Sequence, residues 1–267
     1  MIFNRVAILG SGNLGFSIAQ GLESAGLFEK TSISLAEKNA HRKASIEAMG
    51  YTITEDSAVA VENCDLIILV VKPWQVDDLI HEIRDVIDPE KQVVASCVTG
   101  VTSSHIYKAL DKTLPFFRVM PNTGIAVQES MTCISSFNAS KEQIASIDKL
   151  FSSLGQVIFI PEEQMPAATA IAGCGIAFAL RFIRAAIQGG VEIGFGADDA
   201  KLMAAQIVKG AAELILENNS HPESEIDKVT TPKGVTITGL NEMEHAGFSS
   251  SIIRGILASY HKIEVNK

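Results

Sequence analysis

The sequence predicts a doubly wound α/β domain with a mainly parallel sheet over residues 1–160, followed by an all-α domain over residues 161–267. Three observations carry that expectation. Apolar runs of strand length alternate with helical patterns through the first half of the chain. The first of these runs is followed at once by Gly10-x-Gly12-x-x-Gly15. After Pro161 no convincing strand pattern remains, and long Ala-, Ile- and Leu-rich helical stretches take over.

Val6–Leu9 is a short apolar run, and Ile18, Leu22 and Ala25 continue beyond the glycines at helical spacing. Thr31–Ala36 alternates outward and inward as a second strand. Residues 40–49 read as a helix ended by Gly50, a suitable C-cap. Leu66–Val71 is apolar throughout, the pattern of a strand buried on both faces of a parallel sheet. Further strands are expected at 92–97, 115–119, 130–135 and 156–160, with helices near 75–84, 103–110 and 140–153. In the second half, helices are expected near 163–190, 198–218, 236–246 and 249–263. Turn signals separate them: Gly194-Phe-Gly196, Asn218-Asn-Ser-His-Pro222 and Thr231-Pro-Lys-Gly234.

Composition narrows the function. Of 267 residues, 47% are apolar and 20% charged, an ordinary balance with ample core material. A net charge of −9, with no Lys/Arg run longer than a pair, argues against a nucleic-acid or anionic-membrane partner. The chain enters a strand without a charged segment followed by an apolar one, so no secretory leader is expected. Cys64, Cys97, Cys133 and Cys174 form no Cys-x-x-Cys, which suggests reduced thiols in a cytoplasmic protein and no metal site. Residues 165–180 carry no charge, yet they fall short of the ~20 residues of a spanning helix. Arg181 and Arg184 follow at once, so a helix buried in a core or a subunit interface is the expectation.

The glycine motif sits after an apolar strand and before a helix, which is the context of a Rossmann dinucleotide site. Gly10 permits the tight turn, Gly12 the approach of a pyrophosphate, and Gly15 close packing of helix on strand. The helix N-terminus then favours the phosphate charge. Gly10, Ser11, Gly12, Asn13, Leu14 and Gly15 are the expected contacts of this turn. Glu37 stands where an acidic residue would accept bonds from the adenosine ribose, ~20 positions on. Lys38, Asn39 and Arg42 follow and offer a 2′-phosphate an alternative, so the choice between NADH and NADPH stays open.

Other strand ends face the same crevice. Lys72 and Pro73 close one strand, Cys97, Thr99 and Gly100 another, and Asn122 and Thr123 a third. The Asn122 amide and Thr123 hydroxyl offer ligand contacts, and Gly100 suggests a close backbone approach. In the helical half, Gly173 and Gly175 each cost a helix roughly 1 kcal/mol, which implies a neighbour or ligand close to the backbone. Val229–Leu240 is a hydroxyl- and Gly-rich turn opening a helix, whose free N–H groups suit a carboxylate. Thr231 and Thr236 add hydroxyls beside it.

Taken together, these segments resemble the pyrroline-5-carboxylate reductase family, the last enzyme of proline biosynthesis, over nearly the whole chain. The likeness lies in the opening fingerprint, the Val71-Lys72-Pro73 strand end, Arg118–Thr123, a modified Ser-Gly-Ser-Gly-Pro-Ala-Tyr helix and the loop Val229–Leu240. That loop departs only at Thr231 (Ser in the family) and Lys233 (Gly). The resemblance implies an all-α dimerisation domain, NADPH as cofactor with NADH possible, and a homodimer or a higher oligomer built of dimers. It places the active site between one subunit's Rossmann domain and the helical interface. It implies that Thr236 hydrogen-bonds the ring nitrogen of 1-pyrroline-5-carboxylate, with Gly234 and Val235 adding N–H groups and Thr231 lining the site. Ser57, Val71, Lys72, Pro73, Cys97, Thr99 and Gly100 would line the cofactor.

Ala172, Cys174, Ile176 and Phe178 replace Ser, Ser, Pro and Tyr of the family helix, removing hydroxyls while keeping both glycines. Lys233 adds a cation beside the carboxylate site. Two rivals share the architecture: a reductase of another cyclic imine or a β-hydroxy acid, and a non-catalytic nucleotide-sensing relative. The hydroxy-acid version wants a catalytic Lys on the first long helix, and residues 163–190 contain none.

Overall fold

The computed structural model describes residues 2–265. Eight strands form one sheet: β1 (Val6–Leu9), β2 (Ile33–Ala36), β3 (Thr52–Thr54), β4 (Leu66–Leu69), β5 (Val93–Ser96), β6 (Phe116–Met120), β7 (Ser130–Phe137) and β8 (Gly155–Phe159). Their order is β3-β2-β1-β4-β5-β6-β7-β8, and only the β6–β7 pair is antiparallel. The helices among them are α1 (Asn13–Ser24), α2 (Ala40–Glu47), α3 (Ser57–Val61), α4 (Val76–Ile83), α5 (Ser103–Leu110) and α6 (Lys141–Ser152).

Period-two side-chain alternation makes one apolar strand serve two cores. Val6 and Ile8 pack with Ile18 and Leu22 of α1 and with Leu150 of α6. Ala7 and Leu9 pack with Leu79 and Ile83 of α4 and Ile106 of α5. The sheet is therefore covered on both faces, as the continuous apolar runs predict.

Two details of that prediction need correcting. β2 does not alternate: all four of its residues are buried, and Thr31 lies in a 3₁₀ turn, Lys30–Ser32. The outer neighbour β3 covers β2, and it escapes the sequence reading because it is three half-exposed residues, Thr-Ile-Thr. The short α3 is missed likewise; Asp56 caps it, its Oδ1 accepting from Ala58 and Val59.

The chain divides into two compact units. The first runs to Cys174 and takes in the chain from Ser259 on. After β8 it continues through α7 (Met165–Ala168) and a π-helical turn, Thr169–Gly173. Met165, Ala168 and Ala172 pack there with Met120 and Cys133. The secondary structure thus changes character at Pro161, while the compact unit extends to Cys174.

The second unit, Gly175–Ala258, holds α8 (Gly175–Glu192), α9 (Ala197–Asn218), α10 (Pro222–Val229), α11 (Val235–His245) and most of α12 (Phe248–Val265). Gly190 of α8 lies against Ala200 of α9, where an added Cβ would sit 3.0 Å from the Ala200 Cβ. Phe182 and Phe248 meet edge-on at 6.1 Å. α10 departs from the turn expected over Asn218–Pro222. Pro222 instead starts the helix, where its missing N–H costs nothing.

Candidate functional site

The turns after β1, β2, β4 and β5 open onto one cleft of about 670 Å³, with Gly10, Ala36, Val70 and Cys97 on its wall. Ligands of open α/β sheets bind at such carboxyl ends. Local sterics build the turn after β1. Gly10 adopts φ +102°, and a Cβ there would stand 2.6 Å from the Val70 carbonyl oxygen. A Cβ on Gly15 would fall 2.0 Å from the Gly10 oxygen, so only glycine lets α1 rest on this turn. At Gly12 the nearest atom to a Cβ is Arg42 Nη1, at 3.5 Å. Gly12 is also the N-cap of α1 and brings no side chain onto the N–H groups of the first turn. Those donors fit a pyrophosphate, and the residues present fit a dinucleotide.

Most residues singled out for the cofactor line this cleft: Gly10, Gly12, Asn13 and Leu14 at the turn, Glu37 and Lys38 after β2, and Ser57 at α3. So do Val71, Lys72 and Pro73 after β4, and Cys97 and Thr99 after β5. Three do not. Ser11 is buried, its Oγ donating to the Ala36 carbonyl at 3.2 Å, so it fastens the turn to β2. Gly15 packs against the turn from behind. Gly100 has φ +78° with nothing within 4 Å of an added Cβ. Its glycine answers to backbone conformation and not to a close neighbour in the chain.

Asn122 is the other correction. Its Nδ2 donates to the Ala172 carbonyl at 3.1 Å, and its Oδ1 accepts from Gly124 N–H at 2.8 Å. The amide holds the π-helical turn to the end of β6, while Thr123 alone of this pair reaches the cleft. That turn follows from Cys174 N–H bonding Thr169 O at 2.9 Å, five residues back. Sequence reasoning also missed Glu55, Gln75 and Asp78 on the cleft wall. The first precedes α3 and the others sit at and in α4, so no periodic signal marks them.

Charge around the cleft is balanced within the protein. Glu37 Oε1 accepts from Asn39 N–H at 2.9 Å, and its Oε2 lies 4.0 Å from Arg42 Nη1. The Lys38 ammonium binds Glu82 of α4. Burial pushes the Cys97 thiol up to about 12, so it stays protonated as an inert part of the wall.

In the second unit, Thr231–Gly234 forms a tight turn closed by Gly234 N–H to Thr231 O at 2.8 Å. A Cβ on Gly234 would stand 2.6 Å from Thr231 Oγ1, so this turn needs glycine there. Gly234 caps α11 without a side chain, Val235 is 90% exposed, and Thr236 is exposed in the helix's first turn. Lys233 takes φ +61° between them. The residues predicted for the substrate, Thr231, Gly234, Val235 and Thr236, therefore lie within one short segment at the uncapped start of α11.

Residues 162–265 match the family described as pyrroline-5-carboxylate reductase dimerisation, and residues 5–100 match NADP oxidoreductase coenzyme F420-dependent. The chain is 46% identical over 271 residues to pyrroline-5-carboxylate reductase 1 of Dictyostelium discoideum, an alignment covering 97% of this chain and 49% of that protein. It thus spans about half the length of that relative. Identity to reductase 2 of the same organism is 44% over 277 residues, covering 97% of this chain and 91% of the relative. The fold matches the crystal structure of Plasmodium falciparum pyrroline carboxylate reductase with NADP bound, with TM-score 0.88, 23% identity and 98% of each chain covered. A pyrroline-5-carboxylate reductase from Coxiella burnetii superposes with TM-score 0.84 at 25% identity, covering 99% of this chain and 98% of that one.

Proposed function

The chain belongs to the pyrroline-5-carboxylate reductase family, and from that membership we propose that it reduces the C=N bond of 1-pyrroline-5-carboxylate to give proline. The hydride comes from a reduced nicotinamide cofactor, NADPH or NADH, when it is bound. The protein's own contribution is alignment and polarisation, because hydride transfer to an imine needs no covalent help.

In this reading the Gly10–Gly15 turn and the start of α1 hold the pyrophosphate. Val71, Pro73, Cys97 and Thr99 wall the nicotinamide end and keep water out, and Ser57 and Lys72 complete the lining. The N–H groups of Gly234, Val235 and Thr236 hold the substrate carboxylate, with Thr231 beside them. The Thr236 hydroxyl hydrogen-bonds the ring nitrogen, favouring the transition state as charge shifts there. The observation that carries this assignment is the uncapped start of α11, with Gly234 pressed against Thr231 and Thr236 exposed beside it.

A homodimer through the helical half is part of the same proposal. Its support is the dimerisation match over 162–265 and the exposed apolar side chains of the second unit. The four unpaired cysteines support a reducing, cytoplasmic setting.

The test is NADPH and NADH oxidation by the purified chain with 1-pyrroline-5-carboxylate, run beside other cyclic imines. Thr236→Ala should lower kcat/KM by on the order of 10²-fold. A loss of less than a few-fold would remove Thr236 from the chemistry.

A further inference from the structure

We propose that Glu162 is a positioning residue for the nicotinamide end of the cleft, acting through the turn that carries Thr99; this rests on the reading of the Gly10–Gly15 cleft as the cofactor site. The sheet order puts β2 and β5 on opposite sides of β1, whose end carries the glycine turn. With the adenosine half lying toward β2, the reactive ring lies toward β5, where Cys97 and Thr99 line the wall. Both belong to the connection from β5 to α5, residues 97–102.

Apolar packing sets the depth of this connection but not its direction. Val98 and Val101 sink into the core below it, and such burial is non-directional. Gly100 between them is unbraced, with φ +78° and nothing within 4 Å of an added Cβ. The directional restraint comes from Glu162. Its Oε1 accepts from Ser103 N–H at 2.7 Å, and its Oε2 accepts from Ser103 Oγ at 2.6 Å. The first bond satisfies a backbone donor that the start of α5 leaves free, and a charged acceptor makes such bonds roughly twice as strong as neutral ones. Arg118 Nη1, 3.1 Å from Oε1, fixes the same carboxylate from β6. The Arg118 side chain is 6% exposed and that of Glu162 21%, so salt screens this tie little. A second tie at this end of α5, His105 to Asp77, joins side chains 47% and 72% exposed and is correspondingly weaker. Hydride transfer is sensitive to placement, and a displacement of ~1 Å can cost on the order of 10²-fold in rate. The pyrophosphate turn follows β1, two strands from β5. Dinucleotide affinity should therefore hold while the chemical step suffers.

The variants are Glu162→Gln, which keeps an acceptor for Ser103 but not the charge, and Ser103→Ala, which removes the Oγ bond and leaves Arg118 paired. NADPH is titrated by its nicotinamide fluorescence without substrate. The loaded enzyme is then mixed with 1-pyrroline-5-carboxylate in a single turnover, with rate constant and amplitude read separately. Glu162→Gln should slow hydride transfer about tenfold and Ser103→Ala about threefold, both at full amplitude and with Kd for NADPH within about threefold of wild type. The double variant should be no slower than Glu162→Gln alone, because both act through one contact. Emission of the bound nicotinamide should shift toward that of free NADPH in both. Rate constants and emission indistinguishable from wild type overturn the proposal. So does a loss confined to amplitude, which marks fewer folded molecules and no misplacement. Where Glu162→Gln fails to fold, Ser103→Ala decides. If wild type binds NADPH and the variants shift its emission, yet no imine is reduced, the positioning by Glu162 stands and the reductase reading falls. Failure of wild type to bind either NADPH or NADH overturns both.

Discussion

Lys233 holds a left-handed φ of +61° in the turn that opens α11, at a position where the family resembled carries glycine. That conformation costs a non-glycine residue about 1–2 kcal/mol, and the more restricted unfolded chain returns about 0.4–1 kcal/mol of it. Comparing Lys233→Gly with Lys233→Ala isolates the backbone, since both remove the ammonium. The Gly variant should be more stable by about 0.5–1 kcal/mol, read from urea midpoints at unchanged slope. Equal midpoints would show that the turn relaxes without glycine. At this scale the sequence was legible wherever steric demand is written into residue type, as at Gly10 and Gly15. It was not legible at Ser11 or Asn122, whose side chains serve carbonyls 25 and 50 residues away. A polar residue beside a cleft does not reveal whether it faces ligand or backbone until the fold is known.

Single elements are tied together by an ion pair outside the cleft, between buried Arg118 and partly buried Glu162. Glu162 accepts from Ser103 N–H at 2.7 Å, from Ser103 Oγ at 2.6 Å and from Arg118 Nη1 at 3.1 Å. It thereby joins the start of α5, the middle of β6 and the approach to α7. Burial alone would raise the Glu162 carboxyl; the bonds from Ser103 and Arg118 outweigh it and hold the group below the usual range. A depressed folded value stabilises above the unfolded value, about 4.3, and that contribution disappears as pH falls through the folded one. Glu162→Gln should therefore cost roughly 2–3 kcal/mol near neutrality, because it leaves Arg118 buried without its anion. The gap between variant and wild type should close below about pH 4. Denaturant titrations across pH check this, and a gap independent of pH would assign the loss to packing. Strongly periodic elements such as α5 and α6 were readable from spacing alone. β3 and α3 were not, because three to five residues carry too little pattern to separate from a loop.

For the molecule as a whole, the second unit exposes more apolar surface than a soluble protein ordinarily leaves to water. Leu202, Ile207 and Leu216 of α9 are 68%, 59% and 70% exposed, and Ile193 before it is 77% exposed. No residue of α8, α10 or α11 is buried. Fully burying one such side chain is worth about 1.5–3 kcal/mol, so this surface strongly favours a partner. The apolar window in Glu162–Glu192 has mean hydropathy 1.7 with 11% buried, which by length and composition alone would also suit a bilayer. Arg181 and Arg184 lie inside that segment, and a bilayer interior penalises an arginine by at least about 2.5 kcal/mol. A second copy of the chain bears no such penalty where its own polar groups meet those arginines. In detergent-free buffer the protein should therefore sediment at about twice 28.6 kDa or a multiple of that. Leu202→Glu combined with Leu216→Glu should shift it toward the single-chain mass, with reductase activity falling in parallel. A single-chain species at micromolar concentration with full turnover would overturn the dimer. Precipitation without detergent would return the apolar segment to the bilayer reading.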